Sequence, residues 1–228
     1  TTLELNGTHI LADTSVVSGT GEVSIGGGTG NLNGQWRVSV MTLDSGTLNI
    51  NRDTVMSGLV FNNGTLAGSG TLTVTDVMTW TGGTMRDAGE THIAAGAALT
   101  LTGTSYKNRY GDRVLVNAGR LVYQETGYLQ LTDNAVISNT GEFDIQTDAQ
   151  FHRGSVTTLF FNQGHVYKSA GIGATDLEVP LHNAGTIQVE SGGLYLSYQS
   201  VHSGTLELAT GTTLELNGTH ILADTSVV

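Results

Sequence analysis

Apolar residues along this chain come in pairs with one polar residue between them: Leu48/Ile50, Leu72/Val74, Leu99/Leu101, Leu129/Leu131, Phe143/Ile145, Ile187/Val189, Leu194/Leu196 and Leu214/Leu216. Side chains on an extended strand point alternately to its two faces, so each pair marks a short strand with one buried and one solvated face. Gly, Asn, Asp or Ser follows closely and ends the strand in a turn. Apolar spacing at i, i+3, i+4 and i+7 is not sustained anywhere, so no helix longer than about two turns is predicted. The paired residues are the predicted core, with the intervening Thr, Gln and Glu outward; a slip of one residue would invert the whole set. Trp36 and Trp80 share the inward parity and are expected to fill wide parts of that core.

The turns recur at intervals. Asn-x-Gly stands at Asn62-Asn63-Gly64, Asn117-Ala118-Gly119, Asn139-Thr140-Gly141, Asn162-Gln163-Gly164 and Asn183-Ala184-Gly185, and the glycines from Gly119 onward are 22, 23 and 21 residues apart. Ser45-Gly46-Thr47 and Ser203-Gly204-Thr205 are related corners without the Asn. A β-sandwich would also give short strands, and the Asn-Gly steps at Asn6-Gly7, Asn33-Gly34, Asn63-Gly64 and Asn217-Gly218 suit hairpins. A sandwich gives no reason for corners at regular spacing, whereas a stack of coils of roughly 20 residues does. The expected fold is therefore all-β, a parallel β-helix (β-solenoid) with coils about 4.8 Å apart. Corner asparagines then meet their equivalents one coil away. Asn62, Asn117, Asn139, Asn162 and Asn183 are expected to be structural corners, bonded to each other or to neighbouring backbone.

A longer repeat lies over the short one. Residues 1–17, TTLELNGTHILADTSVV, return without a substitution as residues 212–228, an offset of 211. At roughly 20 residues per coil, that offset holds about 10 or 11 coils and rises about 50 Å. The expected organisation is a single solenoid segment over 1–228, made of one 211-residue repeat (1–211) and the first coil of the next (212–228). Neither copy differs from interior coils as a cap would, and residue 1 already sits in a strand pattern, so the chain reads as a window from a longer one. On this reading the two copies share one transverse position, about 50 Å apart along the axis.

Composition narrows function more than fold. The chain has 32 Gly, one Pro and no Cys. Gly suits tight corners and the abundant β-branched Thr suits strands. Without Cys there are no disulfides, thiol nucleophiles or thiolate metal sites. A formal charge of −11 repels phosphate backbones and argues against a nucleic-acid partner. The same charge leaves room for scattered weak calcium sites, but no cofactor is expected. Gly26-Gly27-Gly28-Thr29-Gly30-Asn31 lacks the Asp of a calcium β-roll repeat, and the seven His are dispersed without zinc-ligand spacing. The longest apolar runs, such as Leu59-Val60-Phe61, are far too short to span a bilayer.

Residues 62–74 (NNGTLAGSGTLTV), 79–85 (TWTGGTM), 94–103 (AAGAALTLTG) and 183–194 (NAGTIQVESGGL) carry a resemblance. Their style is similar to the long repeats of giant bacterial surface proteins, broadly those of filamentous haemagglutinin and autotransporter adhesin stalks. The resemblance covers nearly the whole chain. It implies a secreted, right-handed β-helix at the bacterial cell surface with a structural or adhesive role, and it carries over no catalytic residue.

Residues 104–116 depart from the Gly/Thr style, and Tyr106-Lys107-Asn108-Arg109-Tyr110-Gly111-Asp112-Arg113 holds three of the nine Lys and Arg. Tyr106, Lys107, Arg109, Tyr110, Asp112 and Arg113 are a candidate ligand-contact loop on the flank, with aromatic and guanidinium faces suited to a glycan. The competing reading is a solvated loop whose cations offset the acidic coils. Asp133, Asp144 and Asp148 are candidate carboxylates for a polysaccharide-cleaving flank, but their spacing sets no acid/base pair, and Asp at strand ends is ordinary turn chemistry. No enzyme is expected. The chain is expected to be a structural repeat of a secreted bacterial surface fibre or stalk, partnered with itself end to end or as covalent tandem repeats. The alternative is an adhesin-type module that binds a glycan or another cell surface through a flank.

Overall fold

The structure, a computed structural model, describes residues 1–109, 112–124, 126–155 and 157–223, excepting the side chains of 108 and 109. Among the described residues there are 27 strands and no helix. All pairings are parallel, and in the regular part each strand pairs with the third one before and after it. Three strands therefore make a coil. Arg120–Tyr123, Leu129–Leu131 and Val136–Asn139 form one, and Glu142–Ile145, Phe151–Arg153 and Leu159–Asn162 lie directly on it. We call the sheets containing Arg120–Tyr123, Leu129–Leu131 and Val136–Asn139 the first, second and third. The chain is a parallel β-solenoid of about 11 turns. Near its start a single long strand, Val16–Leu32, turns two corners and contributes 16–19 to the third sheet, 22–25 to the first and 29–32 to the second.

Burial follows the period-two pattern. Leu99, Leu101, Leu129, Leu131, Phe143, Ile145, Ile187, Val189, Leu194 and Leu196 are all buried, as are Trp36 and Trp80. Each such side chain contributes about 1.5–3 kcal/mol of hydrophobic stabilisation. Coil length varies from 18 residues, as between Asn33 and Asn51, to 26, as between Phe151 and Leu177. A longer coil encloses a wider section that aliphatic side chains alone would leave with voids. The coils of 22 and 23 residues are filled accordingly, by Tyr123, Phe143, Phe151 and Phe160 with ring centroids 5.1 to 6.2 Å apart.

The corner between the third and first sheets is set by close approach. Gly119, Gly141, Gly164, Gly185 and Gly204 stack there, and a Cβ on any of the last four would overlap the carbonyl oxygen of the glycine one coil earlier. Glycine is needed for that contact, because no side chain fits between the stacked backbones.

The duplicated segment does not return to the same side of the solenoid, which corrects the expected common position. Residues 2–5 pair with 22–25 in the first sheet, but Thr213–Leu216 pair with Gly193–Leu196 in the second. Likewise residues 8–11 lie in the second sheet and His220–Leu222 in the third. Because coil length varies, the 211-residue offset amounts to ten coils plus one side. Inward parity is the same in both copies: Leu3 and Leu5 align with buried Val23 and Ile25, and Leu214 and Leu216 with buried Leu194 and Leu196.

Candidate functional site

Polar side chains that run from coil to coil dominate the corners. Asn117, Asn139, Asn162 and Asn183 end successive strands of the third sheet in register and are fully buried. Each of the first three donates its Nδ2 to the Oδ1 of the next, at 2.7, 2.8 and 2.7 Å. The same amides donate to backbone carbonyls, as Asn117 does to Glu142 at 2.8 Å. Asn62 is not part of this ladder. Its Asn-x-Gly lies at the corner between the first and second sheets, where Gly64 adopts a positive φ of 87°. There Asn62 is exposed and donates to Asp44 at 2.6 Å. The motif marks a turn without specifying which turn. Two shorter ladders, Asn49 to Asn31 and Asn51 to Asn33, both at 2.8 Å, escaped the sequence reading because no Asn-x-Gly accompanies them. Replacing Asn139 with Ala should break two rungs of the main ladder and leave buried amide groups unpaired. The expected loss is about 1–3 kcal/mol, seen as a lower denaturation midpoint.

The ladder has defined ends. The position before Asn117 is held by Ile93, and the Oδ1 of Asn117 has no hydrogen-bond partner. The position after Asn183 is held by His202, which is fully buried, with no hydrogen-bond partner for either ring nitrogen. Burial, and secondarily His220, pull the His202 pKa from 6.5 down to about 4. Between those values the unfolded chain binds a proton that the folded chain does not, so this contribution to stability is present above pH 6.5 and is lost as pH falls towards about 4. His202→Asn should lengthen the ladder and flatten that acid limb, as read by denaturation midpoints at about pH 7 and about pH 4.5. An unchanged limb in the variant would assign it to other groups.

Segment 106–113 divides. Lys107 and Arg113 are fully buried and so are not available to a ligand, which corrects that part of the expectation. Lys107 aligns with Leu129 at an inward position, and its Nζ reaches the Ser105 carbonyl at 3.3 Å. Arg113 donates to Thr91 Oγ1 at 3.1 Å and to the carbonyls of Gly68, Arg86 and Glu90 at 3.3, 3.5 and 3.1 Å. Burial lowers its pKa to about 10 against the raising fields of Asp87 and Glu90, so it stays charged at neutral pH. Asp112 is exposed and accepts a hydrogen bond from Asn134. Arg109 ends the strand Lys107–Arg109, with its side chain outside the described residues, where Tyr110 also lies. Tyr106 is exposed and stacks on Tyr128 at 4.0 Å, and Tyr128 in turn meets His152 at 5.7 Å. The result is an aromatic strip crossing three coils of the flank.

The candidate carboxylates are engaged structurally. Asp144 is almost fully buried and accepts from Arg120 at 2.6 Å, Gln146 at 2.7 Å and Ser169 at 2.5 Å. Asp148 accepts from the buried Lys168 at 2.9 Å, and that hydrogen bond holds its carboxyl below the usual range. Lys168 also donates to the carbonyls of Thr147 and Ala170. Asp133 forms a turn with a positive φ of 52°. Among the described residues no three His, Asp or Glu side chains gather where a metal ion could be held. No helix among the described residues is long and apolar enough to cross a membrane.

These features define a parallel β-solenoid with coil-to-coil polar ladders. Compared with family models, curated proteins and solved structures, the chain matches none.

Proposed function

We propose that the chain is a non-catalytic structural repeat of a secreted bacterial surface fibre or stalk, a right-handed solenoid rod that continues from unit to unit. One observation carries the reading: buried charged and amide side chains join one coil to the next. Arg113 spans three successive coils, Lys168 and Arg120 each bond to carboxylates of a neighbouring coil, and the asparagines form a buried ladder. Such bonds resist shear between coils, as a rod under mechanical force requires. The surface location rests on the resemblance of the Gly/Thr-rich stretches, and the continuation rests on the exact 17-residue duplication. The test is electron microscopy of producing cells labelled with an antibody to this chain. Label along surface fibres of even width is expected; label confined to the cell interior overturns the reading.

The strip Tyr106–Tyr128–His152 favours a second reading, an adhesive flank. The exposed Tyr106 and the half-buried Tyr128 and His152 offer a continuous aromatic surface to the apolar parts of a sugar, and Glu178, paired with His152, adds an acceptor beside them. A glycan array probed with the chain and with Tyr128→Ala tests it: binding lost in the variant supports the flank, and no binding by either removes it.

A further inference from the structure

We propose that the solvent face of the third sheet docks on the same face of a second copy of the chain, so that two solenoids pair side by side. The face spans the strands Val114–Asn117, Val136–Asn139, Leu159–Asn162, Leu181–Asn183 and Ser200–His202. Their core positions alternate with outward ones, and the outward ones are apolar: Val114, Val116, Val136, Leu159, Phe161 and Val201. The first five are half-buried by their neighbours on the sheet, and Val201 is 38% exposed. Phe161 lies against the ring of His182 on the next coil, at 6.4 Å. The other two sheets differ. Outward positions in the first include Arg120, Glu142, Gln188 and Glu207, and in the second Gln130, His152, Asp176 and Glu215. A contiguous apolar patch on one side of an otherwise polar rod marks an interaction surface.

Charge points to a second copy as the occupant. At a formal charge of −11, two copies repel each other across most of their surface. Across this face they do not. Residues 114–119, 134–141, 154–164, 179–189 and 197–206 contain no Asp, Glu, Lys or Arg. Among the described residues, His182 is the one side chain on the face able to carry a charge. Charged groups stand at the rim: Glu90 and His92 one coil earlier, Asp133 at the corner with the second sheet, and Arg120 and Glu142 past the corner with the first. An apolar centre inside a charged rim is the anatomy of a protein interface, and one such patch on each copy suits a two-fold contact. The two sheets would pack about 10 Å apart, as the layers of a β-sandwich do. Five strands about 4.8 Å apart and about 13 Å long give each copy a flat of about 300 Å². That is below the roughly 800 Å² per partner of a stable complex, so the pair is transient. Pairing is independent of the fibre reading, because a solenoid of any length presents its sides. In a rod of such repeats, the offset of ten coils plus one side turns the face to a new side with each unit. Contacts between rods are then isolated points, and each rod stays one solenoid wide.

The chain has no cysteine, so single cysteines report which sides meet, and a cross-linker traps a transient pair. Ser138→Cys puts a thiol in the middle of the face, Thr186→Cys on the outer side of the first sheet and Gln130→Cys on that of the second. All three positions point outward, so the core is untouched. With a short bis-maleimide, Ser138→Cys should give covalent dimers, and the other two should stay monomeric. Adding Phe161→Glu to Ser138→Cys sets like charges across the contact and should cut the dimer yield about tenfold or more, with an unchanged circular dichroism spectrum. End-on stacking holds the Ser138 thiols of successive copies a unit's length apart, beyond a short linker, so the fibre reading stands or falls separately. Equal yields from all three cysteines show random collision and overturn the pairing. No dimer from Ser138→Cys at any concentration, or a yield that Phe161→Glu leaves unchanged, overturns it too. If Ser138→Cys gives no dimer and the chain floats with phosphatidylcholine vesicles, the face belongs to a lipid surface instead.

Discussion

Arg113→Ala is expected to cost about 3–5 kcal/mol, the range for breaking a buried charged network. The guanidinium is fully buried at the corner between the second and third sheets. Its donors hold Gly68, Arg86 with Glu90, and Thr91, contributed by two earlier coils. Removing it leaves carbonyl oxygens in the interior without those donors and opens a cavity the size of a long side chain. Solenoid stability is local, a sum of coil and neighbour terms, so the loss should concentrate there. Hydrogen exchange should accelerate over residues 68–117, with the coils of residues 187–206 little changed, and the denaturation midpoint should fall. Arg113→Lys keeps the charge but loses the fork, and should recover only part of the loss. A cost below about 1 kcal/mol would show that water or neighbouring groups replace the guanidinium with ease.

Gly185→Ala should cost about 3 kcal/mol, the upper part of the overpacking range. The added Cβ would overlap the carbonyl oxygen of Gly164, which also accepts from Thr186 N at 2.9 Å. Gly185 N itself donates to the Asn162 carbonyl at 3.2 Å. The backbone therefore cannot yield without breaking ladder bonds on both sides. Gly58→Ala is the control, because its nearest contacts, at 3.5 Å, are of ordinary van der Waals length. A drop in denaturation midpoint for Gly185→Ala with little change for Gly58→Ala is expected. Equal effects would mean that loss of glycine in general, rather than coil contact, sets the cost.

Much of this was legible in the residues. Alternating pairs such as Leu129/Leu131 and Ile187/Val189 named the inward face, and glycine spacing named the coil. Register was harder. Asn62-Asn63-Gly64 and Asn117-Ala118-Gly119 have one motif but sit at different corners, since a turn motif encodes backbone shape and not its place around the coil. The phase of the duplicated segment was hidden for a related reason: with coils of 18 to 26 residues, an offset of 211 does not by itself give a side. Lys107 and Arg113 resembled surface charges because long cations are normally solvated. Their burial depends on carbonyls from outside their own strands, such as that of Gly68, which lies 45 residues away from Arg113. The aromatic strip was half visible: Tyr106 stood in a segment of unusual composition, but Tyr128 and His152 joined it only through ring contacts between coils.

The central claim, a solenoid that continues from unit to unit, is tested most directly by electron cryomicroscopy of the purified chain at high concentration. Unbranched filaments one solenoid wide are predicted, with rungs about 4.8 Å apart running unbroken across each joint between units. Discrete particles one unit long, or filaments whose rungs are interrupted at every joint, would contradict it.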